Sequence, residues 1–364
     1  MKKNIEADLL YDILRKKFYK HGIEIRFVDY RAENDQILWE EFLDNFEYVS
    51  VKYTWADLHY QFCYMEGFAD YILNLSMIFI VNNDVVGCWP LSLSKKEVYH
   101  ICTNNGKLLA PLFLDNKKTR KAINDSCLGC IYAIFDYLYK NNFEYDNKVL
   151  CEHDFNPAMY NRAWFEKQML LGGRCFAREE LYVDLNKTYD EIHKNIRKSY
   201  KSLINYGFRN WKIKFCLEVD TALFEKLKDM HFIVAGRKTR SDESWNLQYA
   251  AINNGTAFIA VIEDVDRIIG WSLFSLSRDE CYYGVGVFDR TMFDKPISHF
   301  LQDSVIKYLK ANTDIKWYYL GHRFYKGDYY VPTEKELNIA YFKEGFATDK
   351  FINLLTETIF EIKS

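Results

Sequence analysis

Proline is rare in this chain, five residues in 364, and no stretch is dominated by glycine, serine or charge of one sign. That excludes a disordered or low-complexity tail, which needs a polar composition that buries little. No run of about 18 uncharged apolar residues occurs, so the sequence predicts no membrane-spanning helix. Charge of one sign is also lacking. At a formal −3 nothing global marks a nucleic-acid binder, and DNA is not expected as a partner. The nine cysteines are odd in number and lack framework spacing, which suits a reducing, cytoplasmic location. Cys127 and Cys130 form a C-x-x-C, but inside a helical pattern and with no second Cys/His pair at zinc spacing. Core packing therefore outweighs redox or metal chemistry, and no metal is expected. The N-terminus, MKKNIEADLLYDILRKKFYK, scatters charges among its apolar residues and reads as an amphipathic helix, not a secretory signal.

What is present is bulk and repetition. Hydrophobic residues make up 49% and aromatics 17%, enough for two sizeable cores at this length. One pattern occurs twice, IFIVNNDVVGCWPLSLSKKEVYH around Gly87 and FIAVIEDVDRIIGWSLFSLSRDECYY around Gly270. With Gly87 set on Gly270, Ser92, Leu93, Ser94, Glu97 and Tyr99 fall without a gap on Ser275, Leu276, Ser277, Glu280 and Tyr282. Each copy reads as a three-strand meander leading to a long amphipathic helix. Two similar α/β domains follow, with boundaries at 1–175 and 176–364. A duplicated fold of this kind creates a cleft.

Along the chain, residues 36–72 read as mostly helical, 77–103 as the first meander, and 124–140 as a helix with Cys127, Ile131, Ile134, Phe135 and Leu138 on one face. Residues 154–178 read as a connection and 180–185 as a strand. Thr188 to Glu191 has capping-box spacing, opening a helix that stops at Gly207. Its Lys194, Arg197, Lys198 and Lys201 share a face that is either a solvated surface or an anion-binding strip. Further strands are expected at 211–217 and 317–320, helices at 221–235 and 244–253, and the second meander at 257–288. A helix from Pro296, one ending through Lys343, and a last strand at 358–362 complete the reading.

A meander, then a helix, then a strand is the core of the GNAT acyltransferase fold, and two such units in tandem resemble the FemAB-like family of non-ribosomal peptidyltransferases and related acyltransferases. The resemblance covers most of the chain and is densest in the C-terminal half. It is carried by IRKSYKSLINYG, HFIVAGRKTRSDESW, the meander ending YYGVGVFD, KPISHFLQDSVIKYLK, WYYLGHRF and NIAYFKEGFA. It implies two tandem GNAT-like domains, each a mixed, mostly antiparallel sheet flanked by helices, with the C-terminal one catalytic. It also implies acyl or aminoacyl transfer to an amine-bearing, anionic acceptor, such as a nucleotide-linked amino sugar or a peptidoglycan precursor, in cell-wall or surface-glycan biosynthesis. FemAB-like proteins show a lysine in a late FKxGF-type motif, which here is Lys343 within Phe342-Lys343-Glu344-Gly345-Phe346; by the resemblance it neutralises a phosphate or carboxylate of the acceptor.

One departure bears on the donor. Acetyl-CoA-dependent GNAT enzymes carry a glycine-rich loop whose backbone N–H groups hold the pyrophosphate, whereas FDRTMFDKPISHF has no glycine and the first copy has only Gly106 there. No tightly bound cofactor is expected. Aminoacyl-tRNA or acyl-CoA remain the candidate donors, and a non-catalytic nucleotide-sugar or RNA-binding module of the same fold is the alternative. The oxyanion of acyl transfer would meet backbone N–H groups near Gly284 and Gly286, glycines that equally fit a bulge. For anions, Arg237 and Arg240 offer bidentate contact, with Ser241 and Trp245 beside them and Lys198, Lys335 and Lys343 as further substrate-binding candidates. For proton transfer the candidates are His231, His299, Asp242 and, as an acid, Tyr283, with His322 after the 317–320 strand a further one. A lone histidine on a helix reads equally well as a core residue.

Overall fold

The computed structural model describes residues 5–362 apart from 104–105, 115–116, 155 and 157. It divides into two compact units. The first comprises 1–47, 53–177 and 353–364, and the second 48–52 and 178–352. The chain thus lends a five-residue segment of its first half, Tyr48–Lys52, to the second unit. It returns its last twelve residues to the first, an exchange that a single cut at 175/176 does not contain.

In the first unit, α1 (Ala7–Tyr19) leads to β1 (Glu24–Phe27), α2 (Glu33–Leu43) and α3 (Trp55–Glu66). Residues 1–4 of the expected N-terminal helix lie outside the described residues. The expected helical stretch 36–72 is interrupted: α2 ends at Leu43, Thr54 caps α3, and β2 (Tyr71–Asn74) closes it. Then follow β3 (Met77–Val81), β4 (Asp84–Trp89), β5 (Ser92–Lys95), β6 (Tyr99–Cys102), β7 (Leu108–Leu109), β8 (Leu112–Phe113), α4 (Lys117–Lys140), β9 (Lys148–His153) and α5 (Arg162–Leu170). The first meander differs from its expectation. Its long middle strand breaks at Pro90, so β4 joins a sheet of order β1-β3-β4-β8 while β5 joins one of order β2-β5-β6. Pro90 has no N–H to give a ladder. The predicted face of α4 is buried as expected, Cys127 and Cys130 included, and all nine cysteines are free. The stretch read as a connection holds α5, capped by the Asn161 side chain.

The second unit takes β10 (Arg174–Asp184) from Arg178 onward, then α6 (Tyr189–Asn195), α7 (Lys198–Asn210), β11 (Lys212–Cys216), α8 (Thr221–Ala235) and α9 (Asp242–Asn253). It continues as β12 (Ala257–Asp264), β13 (Arg267–Leu276), β14 (Glu280–Phe288), α10 (Ile297–Asn312), β15 (Trp317–Arg323), α11 (Glu334–Glu344) and the start of β16 (Asp349–Ile359). The capping box at Thr188 forms. The helix it opens breaks at Ile196–Arg197, so Lys194 is not on one rigid strip with Lys198 and Lys201. Nor does Gly207 end α7. A Cβ there would stand 2.3 Å from Phe300 Cβ, so the glycine admits α10 against α7. The sheet order is β11-β12-β13-β14-β15-β10, antiparallel except for β14 and β15. Period-two alternation assigns its two faces. Phe258, Ala260 and Ile262 of β12 enter a core with α7 and α10, while Ala257, Ile259 and Val261 pack with Phe224 and Leu227 of α8 and Trp245 of α9. Among the described residues no helix is long and apolar enough to cross a membrane.

Candidate functional site

The site begins where two strands part. Glu280, Cys281 and Tyr282 of β14 pair in parallel with Trp317, Tyr318 and Tyr319 of β15, and the pairing stops there. Each strand carries a bulge at this level. In β14, Leu273 faces Val285 and Phe274 faces Tyr283, which leaves Gly284 as the extra residue. In β15, Leu181 faces Gly321 and Tyr182 faces Tyr319, which leaves Leu320 as the extra one. Bulges bend and twist their strands, so the edges diverge into a gap. The β14 bulge also turns side chains over. Cys281 and Tyr283 pack with Phe274 and Tyr318, whereas Val285 and Val287 pack with Trp245 and Trp271 on the opposite face.

Gly284 and Gly286 are both exposed along this edge. A Cβ at Gly284 would meet nothing closer than 3.6 Å. Gly284→Ala is therefore expected to leave the urea midpoint unchanged while slowing any reaction in which a ligand lies against that backbone. A large loss of stability would show that the bulge is read wrongly. At Gly286 a Cβ would stand 2.2 Å from Tyr283 Oη, so this glycine makes room for the tyrosine.

Lys343 closes one face of the gap. Its Nζ lies 5.0 Å from the centre of the Tyr283 ring on β14 and 3.1 Å from where a Cβ on Gly321 of β15 would be. Gly321 has φ +110°, which glycine alone adopts readily. Burial lowers the Lys343 pKa to about 8. Burial pushes the Tyr283 phenol up to about 12, so it stays protonated.

The other face carries His322, whose Nδ1 lies 3.3 Å from Glu180 Oε1 and 3.1 Å from Tyr319 Oη. Glu180 is fully buried. Arg178 donates to it at 3.0 Å and Lys52 Nζ lies 3.6 Å away. Burial alone would raise its pKa, but Lys52, His322 and Arg178 together hold it well below the usual carboxylate range. Glu280, equally buried, is shifted the other way. Burial raises it against hydrogen bonds from Tyr48 Oη, Tyr182 Oη (3.2 Å) and the Val51 N–H (3.1 Å).

The remaining sequence candidates form separate groups. Arg240 Nη1 donates to His231 Nε2 at 2.7 Å, and its guanidinium stacks on Trp245 at 5.0 Å. Burial and Arg240 lower the His231 pKa to about 4. His231 Nε2 thus accepts from Arg240, and His231 orients that arginine. Ser241 caps α9, and Asp242 is an exposed partner of Lys238 and Lys228 at 3.3 and 3.8 Å. Arg237 is exposed in the same loop, and Lys198 and Lys335 are exposed elsewhere. Lys335 is two turns of α11 from Lys343, about 12 Å at 1.5 Å per residue. His299 sits against Tyr200, Phe342 and Phe346 at 4.5, 4.9 and 6.3 Å, with a buried Nδ1 that has no partner. Burial and Arg197 lower its pKa to about 4. Of its two readings, this enclosure fits that of a core residue.

Glu180, Glu280, Tyr48 and Lys52 were not singled out from the sequence. The available signals were a glutamate inside the apolar strand ELYVDL and the recurrence of Glu97 as Glu280. Glu97 is exposed and Glu280 buried, so the repeat alone does not separate them.

No family model and no curated protein sequence matches the chain. Solved structures do match. The structure is similar to FemX, with a TM-score of 0.60 at 10% identity over 92% of this chain and 96% of that one. It is similar to L-PGS from Bacillus licheniformis (TM-score 0.55, 12% identity, 91% and 93%). It also resembles a conserved protein from Bacteroides thetaiotaomicron (0.53, 8%, 93% and 100%). The FemAB-like resemblance therefore holds in three dimensions, and at these identities it is a likeness of fold.

Proposed function

We propose that the chain is an acyl- or aminoacyltransferase that forms an amide on an amine-bearing, anionic acceptor, with the chemistry in the second unit. The observation that carries this is the gap between β14 and β15, with bulged Gly284 on its edge and the Lys343 ammonium over it. Acyl transfer to an amine needs the carbonyl and the amine held together, a home for the oxyanion and an outlet for a proton. Backbone of the Gly284–Gly286 edge supplies amide donors to a carbonyl lying in the gap. Lys343 adds a positive charge on the side of Tyr283. Arg240, fixed by His231 and Trp245, is suited to a phosphate or carboxylate of the acceptor, since a guanidinium locked in place loses little freedom on binding.

The lack of a glycine-rich turn before α10 favours a donor other than acetyl-CoA, with aminoacyl-tRNA first. Calorimetric titration with acetyl-CoA and CoA, followed by incubation with charged tRNA and UDP-linked amino sugars and muramoyl peptides, tests both parts. Amide formation by mass spectrometry supports the reading. Ligand binding without consumption of any donor sinks it in favour of a binding module. Arg240→Ala is expected to raise the acceptor KM about 10- to 100-fold with kcat little changed, the pattern of lost uniform binding. An unchanged KM removes Arg240 from the acceptor site.

A further inference from the structure

We infer that the outward face of α7 is the docking surface for the single-stranded 3′ end of an RNA-linked donor; this rests on the acyl-transfer reading above. α7 reads KSYKSLINYGFRN and holds no acidic residue. Its buried residues Tyr200, Ile204 and Gly207 share one face. Lys198 and Arg209 fall on the opposite face, about three turns and about 16 Å apart at 1.5 Å per residue. Lys201 stands beside that line, and Ser202 and Asn205 lie on it.

These cations are uncompensated. Exposed cations elsewhere in the second unit find carboxylates: Lys214 with Glu263 at 2.8 Å, Arg267 with Asp289 at 3.1 Å and Lys316 with Asp279 at 2.7 Å. Among the described residues Lys198, Lys201 and Arg209 make no such ion pair. A row of this length suits a partner that carries several negative charges in line. A phosphodiester strand is such a partner, and its neutralisation releases counter-ions. A single carboxylate or diphosphate is too short to meet both ends of the strip. A lipid surface fits less well, because a membrane-lying helix turns its apolar face outward, whereas that of α7 is buried in the core.

The strip leads to the site. The first turn of α7 is fastened to the segment that carries Lys343. The Arg197 N–H donates to the Gly345 carbonyl at 2.8 Å, and Tyr200 Oη to the Phe342 carbonyl at 3.4 Å. Gly345 permits this approach, since a Cβ there would stand 2.2 Å from Tyr200 Cε2. The Arg197 guanidinium donates to Tyr200 Oη at 2.6 Å and to the Tyr341 carbonyl at 3.1 Å. It lies 3.8 Å from the centre of the exposed Tyr341 ring. Exposed aromatic rings and arginine beside a cationic track are the elements of sequence-tolerant single-strand binding. A strand with its acylated end by Lys343 passes Arg197 and Tyr341 and runs along α7. Lys343 and α7 belong with Tyr283 on one face of the sheet, and Arg240 with Trp245 and Val285 on the other. Donor and acceptor thus approach from opposite faces.

The test is fluorescence anisotropy of a labelled single-stranded RNA of about 12 nucleotides ending in CCA, titrated with the full chain. Three phosphate contacts give a slope of about −2 in log K against log salt, from about 0.7 per contact on a single strand. Lys198→Gln/Lys201→Gln/Arg209→Gln is expected to bring the slope close to zero and to weaken binding at low salt at least about 10-fold. A control, Lys16→Gln/Lys20→Gln/Lys226→Gln, removes three exposed cations at the end of α1 and on α8. Equal losses in the two variants overturn the inference, since net charge then explains both. RNA binding that is absent, or unchanged in the α7 variant, overturns it too. So does loss of binding to phosphatidylglycerol vesicles in that variant with RNA binding intact. The choice of donor separates the two layers. In the α7 variant kcat/KM is expected to fall about 10-fold with alanyl-tRNA and to stay the same with alanyl-adenosine, which carries the ester but no phosphate. An equal fall with both donors counts against the surface alone. If the unaltered protein forms no amide from alanyl-tRNA, alanyl-adenosine or acetyl-CoA with the acceptors named above, the acyl-transfer reading itself fails.

Discussion

Lys343→Met is expected to lower acyl transfer about 100- to 1,000-fold in kcat/KM, the range found when one preorganised charge or donor is removed from a reacting site, and at the same time to raise the melting temperature. The second half follows from burial. With its pKa brought from 10.5 to about 8, the charged lysine costs the folded state about 3 kcal/mol at most at neutral pH. Methionine fills the same space without that cost. Between pH 8 and 10.5 the unfolded chain holds more protons than the folded one, so the stability of the unaltered protein rises with pH across that window. The gain in Lys343→Met should be largest below pH 8 and fade above 10.5. Activity should move oppositely, falling as pH rises through about 8, because the ammonium is the working form. Urea unfolding at pH 7 and 10, beside a pH–rate profile, checks all three. Transfer at the unaltered rate in Lys343→Met would remove the lysine from the site.

A half-buried cation kept at such a cost is a functional signature, and it was legible in the sequence only through the FKxGF-type resemblance. The fold was legible from local pattern. The repeated meander, the capping box at Thr188, the limits of α8 and the helix after Pro296 each rest on residues close in sequence. Failures arose where tertiary contact overrode a local rule. Gly207 looks like a helix stop, but Phe300 requires it inside α7. The middle strand of the first copy looks continuous with its twin in β13, but Pro90 splits it between two sheets. Glycines at 284 and 286 announced a close approach or a bulge, and the register shows the first to be a bulge and the second a berth for Tyr283. His231 and His299 carried the right chemistry in the abstract. What set them aside was an arginine nine residues on and an aromatic enclosure drawn from α7 and α11. His322 owes its interest to Glu180, 142 positions earlier on a neighbouring strand, which no local spacing reports.

The two buried glutamates should respond very differently to the same change. Glu180→Gln is expected to destabilise the protein by about 3–5 kcal/mol, the usual result of leaving buried cations facing a neutral group, since Arg178 is 2% exposed and Lys52 15% exposed beside it. Glu280→Gln is expected to cost about 1 kcal/mol or less, because burial already disfavours its charge, and an amide whose oxygen accepts from the Val51 N–H turns its NH2 toward the Tyr48 and Tyr182 hydroxyls, which can accept as well as donate. The pH signs differ likewise. Glu180 is held below its unfolded value, so its contribution is complete above about pH 4.3 and is lost as pH falls toward its folded pKa. Glu280 is held above its unfolded value, so its contribution is complete below about pH 4.3 and declines as pH rises through its folded pKa. Urea titration of the two variants at pH 7 and pH 5 reads this directly. Equal costs at pH 7 would mean that Lys52 and Arg178 serve both carboxylates alike, and the orientation of His322 would then no longer be tied to Glu180 alone. The asymmetry matters for the site, because only a carboxylate that stays ionised through neutral pH can hold the neighbouring Arg178 and Lys52 charges and the His322 ring in place.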